Sequence, residues 1–287
     1  MSLKPFIFAE PSPLSAPVPL IVDSPHSGRI YPADFDFCCP LPMLRQTEDS
    51  YVDELVVCAT EAGATVLTAE FPRSYIDVNR AENDLDPAVL AEAWPEPLAP
   101  SERTLQGLGL VRRLCKSGVP VYRALLPVVE VQKRIENFYR PYHEALRLRS
   151  AALLKQFGEC YLINAHSMPG KSHESHFLRR PDFVLGDRNG TSCDPSFTRR
   201  VRDILQDMGY SVALNDPYKG VEIVQRYGKP QAGQHALQLE INRRLYMNEQ
   251  TLEKTDGFAR LQKDMAQFFK LITEELAGDM PDRLAAE

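Results

Sequence analysis

Two apolar segments that each end abruptly in a polar, histidine-containing run constrain the fold of this chain most strongly. Residues 19–22 lead into Asp-Ser-Pro-His-Ser-Gly, and residues 161–163 lead into Asn-Ala-His-Ser-Met-Pro-Gly. Short apolar runs of this kind are typical of buried central strands in a parallel sheet. Because ligands gather at the carboxyl edge of such sheets, the matching positions of His26 and His166 predict a shared metal or catalytic centre. We expect the two imidazoles to lie within about 10 Å of each other.

Segments of helical and strand character interleave along the chain, which predicts an α/β fold. We predict one three-layer domain over residues 1–287, with a mixed, mostly parallel sheet flanked by helices and a proline-rich lead-in at 1–17. Two polar loops, 81–101 and 215–233, are long enough to close over a site and exclude water. Predicted strands span residues 18–24, 64–71, 74–78, 119–126, 160–165, 183–185, 210–214 and 235–241, and predicted helices span 47–63, 128–156, 195–208 and 248–277.

Charge and composition limit the kinds of partner that the protein is expected to bind. The formal net charge is −6 and no block of Lys and Arg occurs, so a nucleic-acid partner is not expected. Local arginine clusters can still bind small anions on an acidic protein. No run of 18 apolar residues occurs, which argues against a membrane span. The six cysteines form no C-x-x-C pair and no signal peptide is evident, so we expect free thiols in the cytoplasm.

A candidate metal set combines the two histidines with an acidic residue. His26, His166 and one of Glu48 or Asp49 each lie next to the end of a predicted element. Two His and one carboxylate are a common catalytic zinc set that leaves one position open for water. The H-E-x-x-H pattern of helical metalloproteases is missing from the sequence. The alternative for Glu48 and Asp49 is compensation of a helix dipole in the first turn of the predicted helix.

A second candidate set is rich in arginine. Arg73, Asn79 and Arg80 surround the end of the predicted strand at 74–78. An arginine fork binds a carboxylate through two hydrogen bonds, which lysine cannot do. These residues are therefore candidates for binding a substrate carboxylate, and a solvated loop is the alternative.

Glu240 is the candidate general base. It lies in the otherwise apolar strand predicted at 235–241, where alternation places Gln238 and Glu240 on one face. A carboxylate buried in such a strand costs free energy unless it is paired. It could form a buried ion pair with Arg243 or Arg244, or it could act as a base near a metal-bound water.

Other sites have less support in the sequence. The G-x-S-x-G pattern of α/β-hydrolases and the glycine-rich patterns of nucleotide-binding loops do not occur. His173 and His176 lie in a polar loop and are interpreted as surface residues, with a role in a lid as the alternative. His143 is interpreted as structural, whereas His235 could line the site.

Several motifs occur together and in a fixed order, and they cover roughly residues 20 to 250. With these motifs the chain resembles the N-formylglutamate amidohydrolase family. The motifs are Ser-Pro-His-Ser-Gly at 24–28, Asp-x-x-x-Asp at 49–53, Asp-x-Asn-Arg at 77–80, Ala-His-Ser-Met at 165–168, Leu-Gly-Asp-Arg at 185–188, Tyr-Gly-Lys-Pro at 227–230 and the run from His235 to Arg243.

This resemblance implies a cytoplasmic enzyme with one zinc ion. It would cleave N-formyl-L-glutamate to formate and L-glutamate, a last step of one route of histidine breakdown. The implied fold is that of the zinc exopeptidases, since the family is related to zinc carboxypeptidases and aspartoacylases. The order of functional residues in those enzymes implies the following roles here: metal ligands His26, an acid and His166, substrate-binding residues Arg73, Asn79 and Arg80, and the catalytic base Glu240.

One departure from the related enzymes affects the acidic ligand. Their His-x-x-Glu pattern would place an acid at position 29, which is Arg29 here. The acid must then come from elsewhere, and Asp49, or alternatively Glu48, is the candidate. Two other functions stay open: a deacylase of another N-acyl amino acid, and a non-catalytic binding member of the family. Loss of a ligand or of the base would favour the latter, and His26, His166 and Glu240 are all present.

Overall fold

The sheet of this protein is mixed and mostly parallel, as predicted. The computed structural model describes residues 4–115, 118–170 and 180–278. Within these ranges the strands form one sheet in the order β1-β3-β2-β4-β7-β5-β6. Strand β1 is antiparallel to β3 and β5 to β7, and the other four pairs are parallel. The strands are β1 (Phe6–Ala9), β2 (Leu20–Ser24), β3 (Thr65–Ala69), β4 (Cys160–Met168), β5 (Phe183–Gly186), β6 (Val212–Leu214) and β7 (Gln234–Asn242).

Helices cover both faces of the sheet, which confirms the three-layer α/β architecture. A 3-10 helix, Val57–Ala62, continues α2, and a π-helical turn, Ile135–Tyr139, joins α4 to α5 directly before Pro141. Such turns and prolines are common causes of a helix irregularity. The α-helices are α1 (Leu41–Arg45), α2 (Val52–Val56), α3 (Glu102–Leu105), α4 (Val128–Arg134), α5 (Arg140–Phe157), α6 (Pro195–Asp207), α7 (Glu222–Tyr227) and α8 (Gly257–Gly278).

Alternation along the central strands decides which face carries chemistry. In β4, Ile163 and Ala165 pack into the core formed with α2, α6 and α8. Leu162 packs into the opposite core, formed with α4, α5 and α7. Asn164 and His166 follow Leu162 at a spacing of two, so they lie on the α5 side of the sheet. The polar residues of β4 therefore gather at the carboxyl end of one face, where apolar packing gives way to a cavity.

The proline-rich lead-in contains a strand that we did not predict. Phe6–Ala9 pairs antiparallel with β3 at the edge of the sheet. Its side chains are only partly buried or exposed, so the segment lacks the continuous apolar character of the central strands. An edge strand of this kind depends on its partner rather than on its own sequence.

The predicted helix at 47–63 begins later than expected, at Val52. Tyr51 precedes it with a left-handed φ of 67°, and the Thr47 hydroxyl donates to the carbonyl of Leu44 instead of capping α2. Glu48 and Asp49 are therefore outside the first helical turn, and compensation of a helix dipole does not explain them. Both side chains are buried, with 1% exposure each. Their negative charges therefore need another source of stabilisation.

Four further segments differ from the prediction. Residues 74–78 and 119–126 are turns and isolated bridges rather than strands. Both runs contain buried apolar side chains, and burial alone does not separate a strand from a buried irregular segment. The loop predicted at 215–233 contains α7, and α8 begins at Gly257 rather than at 248.

Gly28 lies where the segment after β2 passes very close to the end of β3. A Cβ atom at this position would lie 2.1 Å from the carbonyl oxygen of Phe71. The obstacle is backbone, so Gly28→Ala is expected to lower the free energy of unfolding by about 1–3 kcal/mol or more. Denaturant titration measures this change. Gly278→Ala is the control, since no atom of the described residues lies within 4 Å of its Cβ position; equal midpoints for both variants would contradict the prediction.

Candidate metal centre and active site

His26, Asp49 and His166 meet at the carboxyl edge of the sheet. His26 follows β2, His166 lies near the end of β4, and Asp49 lies between α1 and α2. The two imidazole rings have centroids 4.6 Å apart, which confirms that the two strand ends are adjacent. Asp49 Oδ2 lies 2.9 Å from His166 Nδ1 and 3.3 Å from His26 Nδ1. All three side chains are buried, and each offers one ligand atom within 4.8 Å of the others.

The outer nitrogen of each imidazole is held by a second side chain. His26 Nε2 lies 2.7 Å from Asp77 Oδ1, and His166 Nε2 lies 2.7 Å from Asn164 Oδ1. Histidines that bind a metal usually donate their other N–H to a carboxylate or a carbonyl oxygen, which fixes the tautomer. Both rings are thereby oriented with Nδ1 towards Asp49.

One buried atom in this group has no hydrogen-bond partner in the described residues. It is His26 Nδ1. Buried polar atoms are nearly always satisfied, so an orphan beside a second imidazole and a carboxylate fits an absent cation. Two nitrogens and one carboxylate oxygen are also the donor set of catalytic zinc sites. The residues present therefore fit a metal ion.

Asp49 presents its two oxygens to different partners. Oδ1 accepts from Ser167 Oγ at 3.0 Å and from Arg243 Nη2 at 3.2 Å, while Oδ2 faces the imidazoles. Burial alone would raise the pKa of Asp49, but its interactions with the His166 and His26 imidazoles outweigh burial and hold that pKa well below its usual range. Asp49 is therefore an ionised carboxylate with one oxygen available to a metal.

Glu48 points away from the imidazoles. Its carboxylate accepts from Tyr31 Oη and lies 3.5 Å from Arg45 Nε. Burial raises the pKa of Glu48, and the bond from Tyr31 only partly offsets this. Of the two acids that the sequence left open, Asp49 is the one that the fold brings to the histidines.

Glu240 lies beside His166 on the neighbouring strand. The two residues are in register between β4 and β7, and Glu240 Oε1 accepts from Gln238 Nε2 at 2.8 Å. Burial is the main reason that the pKa of Glu240 is raised. The alternative ion pairs are not formed: Arg244 binds Asp182, and Arg243 binds Asp49.

The metal-binding group opens into a cavity of about 510 Å³ with a cationic wall. Glu240 lines the same cavity. An anionic small molecule would find complementary charge here. Among the described residues, five arginines line it: Arg73, Arg80, Arg103, Arg112 and Arg243.

The predicted substrate-binding residues all reach the cavity but differ in their partners. Arg73 is bound to Asp77, with Nη2 at 2.7 Å from Oδ2. Asn79 accepts the N–H of Ile223 on Oδ1, and its Nδ2 lies 2.9 Å from His166 Nε2. Arg80 has only a long contact, 4.0 Å from Nη1 to an oxygen of Asp84, and its buried Nε has no hydrogen-bond partner among the described residues. Arg80 is thus the freest of the three to bind an anion.

Sequence reasoning missed residues that act through tertiary contacts. Asp77 and Asn164 orient the two histidines, and Asp77 was visible only as part of the Asp-x-Asn-Arg motif. Arg243 was considered as a partner of Glu240 but binds Asp49. The sequence did not indicate a role for Arg112, because an arginine next to another arginine in a loop is usually a solvated surface residue.

The two predicted loops and the remaining histidines differ in whether they line the cavity. Tyr218 and Val221 bring the 215–233 segment to the cavity, whereas no residue of 81–101 is among its described lining residues. His143 is buried and bonded to the carbonyl of Val78, as a structural residue should be. His235 packs on Tyr161 and does not line the described cavity. The loop that holds His173 and His176 is outside the described residues.

Comparison with known proteins agrees with the resemblance seen in the sequence. The family model of N-formylglutamate amidohydrolase matches residues 18–247. The chain belongs to this family. The N-formylglutamate deformylase of Pseudomonas putida is 34% identical over 265 residues, which cover 90% of this chain and 91% of that protein. The N-formylglutamate deformylase of Pseudomonas aeruginosa is 34% identical over 266 residues, with the same coverage.

A solved structure extends this agreement to three dimensions. The crystal structure of N-formylglutamate amidohydrolase from Ralstonia eutropha JMP134 is 43% identical and superposes with a TM-score of 0.92. The match covers 96% of this chain and 99% of that one. Within residues 4–115, 118–170 and 180–278, no helix has the length and apolar character needed to cross a membrane.

Proposed function

We propose that this protein hydrolyses N-formyl-L-glutamate to formate and L-glutamate. The observation that carries the proposal is the buried His26–Asp49–His166 group, which opens beside Glu240 into an arginine-lined cavity. The names of the relatives support the same reaction. The reaction would be a last step of one route of histidine breakdown. All described cysteines are free thiols, which supports a cytoplasmic location.

The metal in this proposal is one zinc ion held by His26, Asp49 and His166. When bound, it would lower the pKa of a water molecule and polarise the formyl carbonyl. Asp77 and Asn164 would keep the two imidazoles in the tautomer that presents Nδ1. Arg243 and Ser167 would keep the Asp49 carboxylate ionised and correctly turned.

Glu240 is the proton carrier in the proposed reaction. It removes a proton from the attacking water as the water oxygen bonds to the formyl carbon. It returns that proton to the amine nitrogen as the C–N bond breaks, which releases formate and L-glutamate. Arg73, held in place by Asp77, adds positive charge near the formyl oxygen as negative charge develops there.

Arg80 is proposed to bind a substrate carboxylate, with Asn79 shaping the wall beside it. Arg80→Lys is expected to raise KM for N-formylglutamate, with kcat/KM about 10-fold lower or more, because a lysine cannot form the two-bond fork. Steady-state kinetics measures the change. Arg147→Lys is the matched control, since Arg147 is exposed and paired with Glu144. An unchanged kcat/KM in Arg80→Lys would remove Arg80 from the site.

The experiment that tests the proposed function combines elemental analysis with a substrate panel. Purified protein is expected to contain about one equivalent of zinc per chain and to prefer N-formyl-L-glutamate to N-acetyl-L-glutamate. Preference for the acetyl compound would indicate a different N-acyl amino-acid deacylase. Metal binding without turnover of any N-acyl amino acid would indicate a non-catalytic binding protein.

A further inference from the structure

Arg112 differs from Arg73 and Arg243, which line the same cavity, because its side chain has no partner among the described residues. It lines the cavity, yet its guanidinium makes no hydrogen bond or ion pair within the described parts of the chain. Arg73 binds Asp77, and Arg243 binds Asp49. The guanidinium of Arg112 is therefore free to bind a ligand in the cavity.

The backbone around Arg112 is fixed from both sides. The N–H of Asp77 donates to the carbonyl of Leu110 at 2.8 Å, and the N–H of Val121 donates to the carbonyl of Arg113 at 2.9 Å. Leu110 and Val111 are fully buried. The next residue, Arg113, binds Asp86 with Nε 2.7 Å from Oδ2 and does not line the cavity. The segment thus gives one arginine a protein partner and presents the other to the cavity.

The surroundings of Arg112 do not neutralise its charge. Desolvation and the nearby charge of Arg73 lower the pKa of Arg112 to about 10, and attraction by Asp77 only partly opposes them. A poorly solvated cation without a counter-ion costs free energy. An anionic ligand group would remove that cost on binding, which is how many anion sites gain their selectivity.

The partners of the other arginines leave Arg112 available for a second substrate carboxylate. Arg73 is paired with Asp77 and Arg243 with Asp49, and Arg80 is already proposed to bind one carboxylate. Arg103 lines the same cavity, but its side chain is exposed, whereas that of Arg112 is partly buried. In N-formylglutamate, the side-chain carboxylate lies farther along the carbon chain from the formyl carbon than the α-carboxylate does.

We propose that Arg112 binds the side-chain carboxylate of the substrate and so selects for an acidic side chain, while Arg80 binds the α-carboxylate. The inference rests on the proposed function and names the residue that determines its specificity. Arg80 takes the α-carboxylate, so the partly buried cavity arginine without a protein partner is assigned to the other carboxylate. Arg112 thereby takes a role that the sequence did not indicate for it.

The test compares two substrates that differ in that carboxylate alone. N-formyl-L-glutamine keeps the α-carboxylate and the size of N-formyl-L-glutamate but is neutral at the side chain. Arg112→Gln is expected to lower kcat/KM for the glutamate compound about 10–100-fold, the usual range for a hydrogen bond between charged groups. The value for the glutamine compound is expected to change by less than about 3-fold. The ratio of the two values is the readout that a merely structural role of Arg112 would not change.

Two further variants serve as controls. Arg113→Gln alters the adjacent arginine, which faces Asp86, and is expected to leave the substrate ratio unchanged. Arg112→Lys keeps the charge but loses the planar fork, so its ratio is expected to lie between those of Arg112→Gln and the unmodified protein. Metal content and thermal unfolding establish that each variant is folded.

The outcomes separate this inference from the proposed function. Equal loss for both substrates in a folded Arg112→Gln variant, or no change in their ratio, would overturn the role of Arg112 while N-formylglutamate turnover by the unmodified protein stands. If the unmodified protein does not hydrolyse N-formylglutamate, the proposed function fails. In that case calorimetric binding of L-glutamate against L-glutamine decides the inference, and it is overturned if Arg112→Gln leaves the preference for glutamate intact.

Discussion

Replacing Glu240 with glutamine is expected to lower kcat for N-formylglutamate by about 10²–10⁴-fold, the usual contribution of a general base. The loss is expected at the upper end because, in the proposed reaction, the same group also returns the proton to the amine. Glutamine is nearly isosteric and still has an oxygen that can accept from Gln238 Nε2, so the fold and the metal content are expected to be retained. Single-turnover kinetics and elemental analysis on the same preparation measure both.

The result distinguishes three roles for Glu240. Loss of zinc in a folded Glu240→Gln protein would make Glu240 a ligand, and full activity would place the base elsewhere.

The pH profile gives a further check. Burial raises the pKa of Glu240, so the active carboxylate is lost on the acid side at a higher pH than for a free glutamate. The corresponding acid limb of kcat/KM is expected to disappear in Glu240→Gln.

His166→Ala is expected to lose zinc and activity together. The imidazole supplies one of the three donor atoms of the metal-binding group, and it cannot be replaced by a methyl group. Loss of one of the three proposed ligands is expected to lower kcat/KM by about 10³-fold or more, since the proposed mechanism assigns both water activation and carbonyl polarisation to the metal. Titration with zinc in the presence of a competing chelator measures the affinity.

His235→Ala provides the matched control for this loss. His235 is equally buried but packs on Tyr161, away from the metal-binding group. It is expected to keep zinc and activity even if its stability falls. A His166→Ala protein that binds zinc as tightly as the His235→Ala protein would contradict the assigned ligand set.

The central strands could be predicted because the hydrophobic pattern that identifies each of them lies within the strand itself. In β4 a continuous apolar run ends in polar residues, and in β7 apolar and polar residues alternate; these patterns locate His166 and Glu240 without knowledge of their neighbours. The edge strand Phe6–Ala9 was missed because an exposed strand has no such pattern. The apolar residues of 74–78 resemble a strand in the sequence, although the backbone hydrogen bonds of this segment form turns.

The sequence identified the candidate residues of the site but not which of them interact with each other. The sequence offered Glu48 and Asp49 equally, since adjacent acids in a loop have the same local chemistry. Only the turn after α1 decides that one faces Tyr31 and the other faces the histidines. The pairing of Arg73 with Asp77 and the lack of a protein partner for Arg112 are likewise properties of the folded chain.

The location of Arg112 has a consequence for how new specificities could arise. His166 and Glu240 are carried by neighbouring strands of the sheet, whereas Arg112 is carried by the irregular chain between α3 and α4. In the proposed roles, reactivity and side-chain choice are therefore encoded in separate parts of the polypeptide. Substitutions at Arg112 then offer a route to deformylases for other amino acids without a change in His26, Asp49, His166 or Glu240.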